Sequence, residues 1–175
     1  MKKKEMKKLK NFLTLVMLFF TTISYTQLPF AKVYAVHDGD SYKIAYIGDT
    51  TNTKIWIRLN LVDAPEVRSN YVTRDQADGR MVADYMRNYL KNKIVTVDTL
   101  YRDVYDRHVA AVYLDSVDVA EYMLKNGYGW YVPDGRKDIN PKYKKAYLRA
   151  RRIKIGIWDN SNIMKPSAFR KKYRY

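Results

Sequence analysis

Short runs of alternating apolar and polar residues occupy 30–36, 41–47 and 54–62. Asp38-Gly39 separates the first two, and Gly48-Asp49-Thr50-Thr51-Asn52 the second from the third. Period-two alternation bounded by turn residues predicts three strands. In the third, Ile55, Ile57, Leu59 and Leu61 share one face while Trp56, Arg58 and Asn60 share the other, so Arg58 leaves the core side. From Ala77 the period changes. Ala77, Met81, Val82, Tyr85, Met86, Tyr89 and Leu90 form one broad helical stripe ending near Lys91-Asn92. Two further strands are expected over 93–99 and 107–114, then a short helix over 119–126 stopped by Gly127 and a helix opened by Pro141 that reaches 154. Five strands with three helices inserted or appended predict an α+β fold, a small β-barrel with a helical flank.

The segment ahead of these elements has a different character. Six lysines lie among the first ten residues, an apolar stretch follows over 12–20, and no charge occurs over 11–31. This pattern reads as a secretory signal peptide over 1–26, hence a secreted or cell-envelope protein. The alternative is an uncleaved signal anchor tethering the chain to a membrane, although the apolar core falls short of the ~20 residues a spanning helix needs. The division that follows is a leader over 1–26, one folded domain over 27–160 and a basic tail over 161–175.

Charge narrows the partners. Of the net +15, the leader's six lysines less Glu5 account for +5, so the body keeps +10. Such an excess favours a polyanionic partner, nucleic acid before anionic membrane. The chain has no cysteine and only two histidines, His37 and His108, which removes disulfides, thiolate zinc sites, a thiol nucleophile and His-rich metal chemistry. Any bound cation would have to be held by oxygen. Between 139 and 158 there is no acid beside seven lysines and arginines, and the tail adds Lys165, Arg170, Lys171, Lys172 and Arg174. These form either a solvated helix face with a frayed end or a source of sequence-independent phosphate attraction.

Three segments could carry chemistry. His37-Asp38-Gly39-Asp40-Ser41 sets two carboxylates around a glycine, and Asp-Gly alone is a hairpin signal. In Arg58-Leu59-Asn60-Leu61-Val62-Asp63-Ala64-Pro65-Glu66, an arginine on the polar strand face leads into two carboxylates bracketing a proline that holds the preceding chain extended. Tyr105-Asp106-Arg107 returns a second arginine beside an aromatic at a strand start.

Together with Leu124-Lys125-Asn126-Gly127 and Ile157-Trp158, these landmarks resemble the staphylococcal nuclease family, in the family's order and over nearly the whole body. The resemblance implies a five-stranded oligonucleotide-binding (OB-fold) barrel with three α-helices and a calcium-dependent phosphodiesterase; the expected substrates are DNA and RNA, single strands preferred because their bases are reachable. It further implies that Asp40, Asp63 and the Ala64 carbonyl hold Ca2+, that Glu66 positions or deprotonates the attacking water, and that Arg58 and Arg107 bind the scissile phosphate. Tyr105 matches a nucleotide-contacting aromatic and Tyr131 approximately matches a second. Thr is usual where Ala64 stands, and 67–79 departs from the family's best-known sequence.

The chemistry suits these groups. Guanidinium is always charged and offers paired donors to phosphate oxygens. Carboxylates gathered at a phosphate site would repel the substrate unless a cation lay between them, and Glu66 has no adjacent lysine to neutralise it. The alternative is a catalytically inactive module of the same fold that binds nucleic acid or protein, but such modules lack several of the charged landmarks that Asp40, Arg58, Asp63, Glu66 and Arg107 retain here. No obligate protein partner is expected.

Overall fold

A computed structural model of the protein describes residues 29–68, 75–133 and 140–173. The leader over 1–26 lies outside the described residues. Strands β1 (Phe30–Val36), β2 (Ser41–Tyr46), β3 (Ile55–Leu59) and the short β4 (Val62–Asp63) precede helix α1 (Gly79–Leu90). Then come β5 (Ile94–Arg102), β6 (His108–Leu114), β7 (Val117–Asp118), α2 (Val119–Lys125) and β8 (Trp130–Tyr131). Helix α3 (Pro141–Arg152), a 3-10 turn (Gly156–Asp159) and α4 (Pro166–Tyr173) follow.

The sheet runs β3-β2-β1-β5-β6, and a parallel pairing of β3 with β6 closes it into a five-stranded barrel of the oligonucleotide-binding type. Register shifts between Val33 and Ala35 in β1, and between Thr99 and Tyr101 in β5, give those strands the local bend that closure needs. Alternation supplies the core. Val33, Ile44, Ile57, Leu59, Val95, Val97, Ala110 and Val112 point inward, where α1 adds Val82, Met86 and Leu90.

Four differences from the expected elements have local causes. The run over 54–62 is two strands, because Leu61 takes a left-handed φ of 65° and breaks the pleat after Leu59. The face of α1 is narrower than its apolar stripe: Met81, Tyr85 and Ala77 are exposed, and Tyr85 instead stacks on Tyr128 with ring centroids 5.3 Å apart. The helices number four among the described residues and not three. Finally, the stretch expected to fray contains α4, anchored by buried Pro166 and Phe169 and by the Gln76 side-chain amide, which donates to the Met164 carbonyl.

The flank is tied to the barrel by polar caps and aromatic contacts. Asp118 caps α2 by accepting from the Glu121 amide at 3.0 Å, and its other oxygen accepts from Tyr143 of α3. Asn140 and Pro141 start α3 with a cap and a proline at its first turn. Trp158 in the 3-10 turn packs edge-on against Trp130 and Tyr147.

Candidate active site

The site lies where β2 and β3 meet the loop that leads out of the barrel. Ser41 and Arg58 are backbone partners across the β2–β3 ladder, so Asp40 at the start of β2 falls beside Arg58. The turn before Asp40 is pressed against α1: Gly39 has φ 101°, and a Cβ there would stand 2.8 Å from Val82 Cγ1. Inside the barrel the Tyr42 hydroxyl donates to the Gly39 carbonyl at 2.6 Å and holds that turn from below.

Arg58 joins the two aspartates. Its Nη1 donates to Asp40 Oδ1 at 3.0 Å and its Nη2 to Asp63 Oδ1 at 2.6 Å. Asp40 and Asp63 are 1% and 3% exposed, so both are deeply buried carboxylates whose desolvation is offset by a shared guanidinium. The charge of Asp40, more than any other group, holds Arg58 firmly protonated. Asp40 Oδ2 accepts from the Ala64 amide at 2.7 Å, which brings Ala64 into the same cluster.

Glu66 follows Pro65 on the outgoing loop. Its backbone is held on both sides by Gln76, whose amide donates to the Glu66 carbonyl at 3.0 Å and whose Oε1 accepts from the Glu66 amide at 3.1 Å. Burial lifts the Glu66 carboxyl above its usual range, against the lowering effect of its hydrogen bond to Arg170.

Arg170, on α4, was not anticipated at the site. It donates from Nη1 to Glu66 Oε1, and from Nη1 and Nη2 to the two oxygens of Asp63 at 3.2 Å each. Burial pulls the Arg170 guanidinium down, but the hydrogen bonds and charge of Asp63, then those of Glu66, outweigh it and hold it protonated. Glu66 therefore has a neutralising partner after all, supplied from far along the chain.

Arg107 reaches the site from the residue just before β6, the parallel neighbour of β3. It lines a cleft of ≈ 460 Å³ with Glu66, Asp38, Ser41, Trp56 and His37. Asp103 orients it, with Nε donating to Oδ2 at 2.9 Å and the Arg107 amide to Oδ1 at 3.0 Å. Tyr105, 78% exposed, lies under the Arg107 guanidinium, 5.4 Å from its ring centroid. Tyr131 pairs through the backbone with Val62 and stacks on Tyr143; it does not line this cleft.

Asp38 is a further member that turn chemistry concealed. Its Oδ1 is buried without a hydrogen-bond partner. Burial pushes its carboxyl well above the usual range, and Asp40 and then Glu66 add to that push.

Among the described residues no three His, Cys, Asp or Glu side chains gather closely enough to enclose a metal ion by themselves. The oxygen donors at hand are the carboxylates of Asp40 and Asp63, bridged by Arg58, with the unpartnered Asp38 oxygen on the adjoining turn. That set fits a hard cation keeping much of its water, and no soft or nitrogen-preferring metal.

A family model described as staphylococcal nuclease homologue matches residues 56–160, more than half of the chain. The chain belongs to the staphylococcal nuclease family. Relatives carry names of the same kind. An uncharacterized endonuclease of Haemophilus influenzae is 28% identical over 165 residues, 93% of this chain and 86% of that protein. A probable endonuclease of Komagataella phaffii is 27% identical over 87% of this chain and 79% of its own length. A staphylococcal-like nuclease of Arabidopsis thaliana is 31% identical over 122 residues, and the chain spans about a third of that plant protein, 35%. The matched staphylococcal nuclease segment includes Arg58, Asp63, Glu66 and Arg107, while Asp38 and Asp40 precede it and Arg170 follows it.

Proposed function

We propose that this protein is a calcium-dependent phosphodiesterase that hydrolyses DNA and RNA, by endo- or exonucleolytic cleavage, with single strands preferred. One observation carries the reading. Arg58 is fixed between two buried aspartates, next to a cleft into which Glu66 and Arg107 both face. The names of the relatives support it.

In this reading Asp40, Asp63 and the Ala64 carbonyl would hold Ca2+, which when bound supplies Lewis-acid polarisation of a phosphoryl oxygen. Glu66 takes a proton from the attacking water, and its burial-raised basicity suits that work. Arg58 and Arg107 donate to the phosphate oxygens and offset the charge that grows there. Asp103 keeps Arg107 aimed at the cleft. Tyr105 offers an exposed ring to an unpaired base, and Tyr131, beside the strand that carries Asp63, is the second stacking position. On α3, Lys144, Lys145, Arg149 and Arg152 line a second hollow and add salt-sensitive attraction for the backbone of the substrate. The lysine-rich, apolar leader supports export.

The test is incubation of the leaderless protein with denatured DNA, with and without Ca2+, beside Glu66→Gln. Calcium-dependent cleavage that Glu66→Gln reduces by at least about 100-fold is expected. Tight DNA binding without cleavage would make the protein a silent module of the family instead.

A further inference from the structure

Asp63 has little room left for a cation. Its Oδ1 accepts from Arg58 at 2.6 Å and from Arg170 at 3.2 Å, and its Oδ2 accepts from Arg170 at 3.2 Å. The same Arg170 Nη1 also donates to Glu66. A guanidinium gripping both oxygens of one carboxylate covers the edge through which that carboxylate would ligate a metal. It also places a positive charge within a few ångströms of the ion, an arrangement whose repulsion is large away from bulk water. Arg170 and a divalent cation therefore exclude one another at Asp63.

We propose that Arg170 is a resident counter-cation for Asp63 and Glu66 which a divalent cation must displace, so that α4 sets the affinity of the site. The inference rests on the cation site proposed above. It draws on a residue beyond the segment that matches the family model. The anchoring of α4 makes the exchange local. Pro166 and Phe169 are buried, and the Phe169 and Tyr173 rings lie 4.6 Å apart, so the helix stays docked while the long arginine side chain swings out. Without an ion Arg170 balances charge that would otherwise be buried and repulsive. When an ion is present the guanidinium moves to the rim.

Calcium titration calorimetry on the wild-type protein and on Arg170→Ala and Arg170→Gln tests this directly. The glutamine variant keeps most of the aliphatic stem and so guards against a packing defect. Both variants are expected to bind Ca2+ at least about tenfold more tightly than wild type. Lys171→Ala, on the exposed side of the same helix, is expected to leave the affinity nearly unchanged. In chelator the Arg170 variants should melt below wild type, and saturating Ca2+ should close that gap. Equal or weaker calcium binding by both Arg170 variants overturns the displacement model while leaving the cation site standing. Absence of binding to every protein, wild type included, overturns both.

Discussion

A Cβ placed on Gly79 would stand 2.6 Å from the carbonyl oxygen of Glu66. The first residue of α1 is thus packed directly on the backbone that presents the proposed base. Gly79→Ala must push that segment away, because the obstacle is main chain held in place by Gln76. A loss of about 1–3 kcal/mol in urea unfolding is expected, the usual cost of overpacking. Turnover on denatured DNA, assayed where the variant is still folded, should fall more than KM rises. A variant with wild-type turnover would show that Glu66 placement does not matter.

The two arginines of the cleft should separate stability from catalysis. Arg58→Ala leaves Asp40 and Asp63 short of a partner, and several kcal/mol of stability should go with the activity. Arg107 forms a partly exposed pair with Asp103, so Arg107→Ala should change stability by less than about 1 kcal/mol. In both variants cleavage should drop by at least about 100-fold, the scale of one lost transition-state donor. Denaturation midpoints alongside single-turnover rates distinguish the two; undiminished rates in both variants would refute the assignment.

Chelation should stop the reaction and spare the fold. Asp40 and Asp63 are already balanced by Arg58 and Arg170, so the barrel does not depend on an ion for charge neutrality. Excess calcium chelator is expected to abolish hydrolysis while the circular dichroism spectrum keeps its shape. Continued cleavage under those conditions would exclude a calcium mechanism.

Acid should loosen the joint between α2 and α3. Burial works to raise the Glu121 carboxyl, but hydrogen bonds from Lys125 and Lys142 and their charges outweigh it and hold it below its usual value. A depressed carboxylate contributes stability that is present above its unfolded value, roughly pH 4.3, and lost as pH falls through the folded one. Glu121→Gln should therefore melt lower than wild type near pH 7, with the difference shrinking as pH falls through the depressed folded-state value. A gap that persists unchanged in acid would mean that the carboxylate charge is not its source.

Much of this architecture was readable from residue patterns, and the exceptions share a cause. The period-two runs located the barrel strands, and Arg58 could be turned away from the core because Ile57 and Leu59 alternate around it. Asp38-Gly39 is a local turn signal, and no local pattern records that this turn lies close against α1 at Val82 or that Asp38 is buried. Arg170 sat in what looked like a solvated basic tail. Only Pro166 and Phe169, two apolar residues spaced for one helix face, hinted that the segment docks. The α1 stripe was too inclusive, since apolar pattern cannot tell a tyrosine in the core from one stacked on a surface neighbour such as Tyr128. What tertiary contact alone decides was what the sequence left hidden.

The parallel seam between β3 and β6 sets Arg58 level with Val109, two residues beyond Arg107. Neither strand neighbours the other in the chain, so the two guanidinium groups come into register only when β3 and β6 pair. In the reading proposed above, a polypeptide whose β3 and β6 have not yet met lacks the paired arginines that its phosphate chemistry needs.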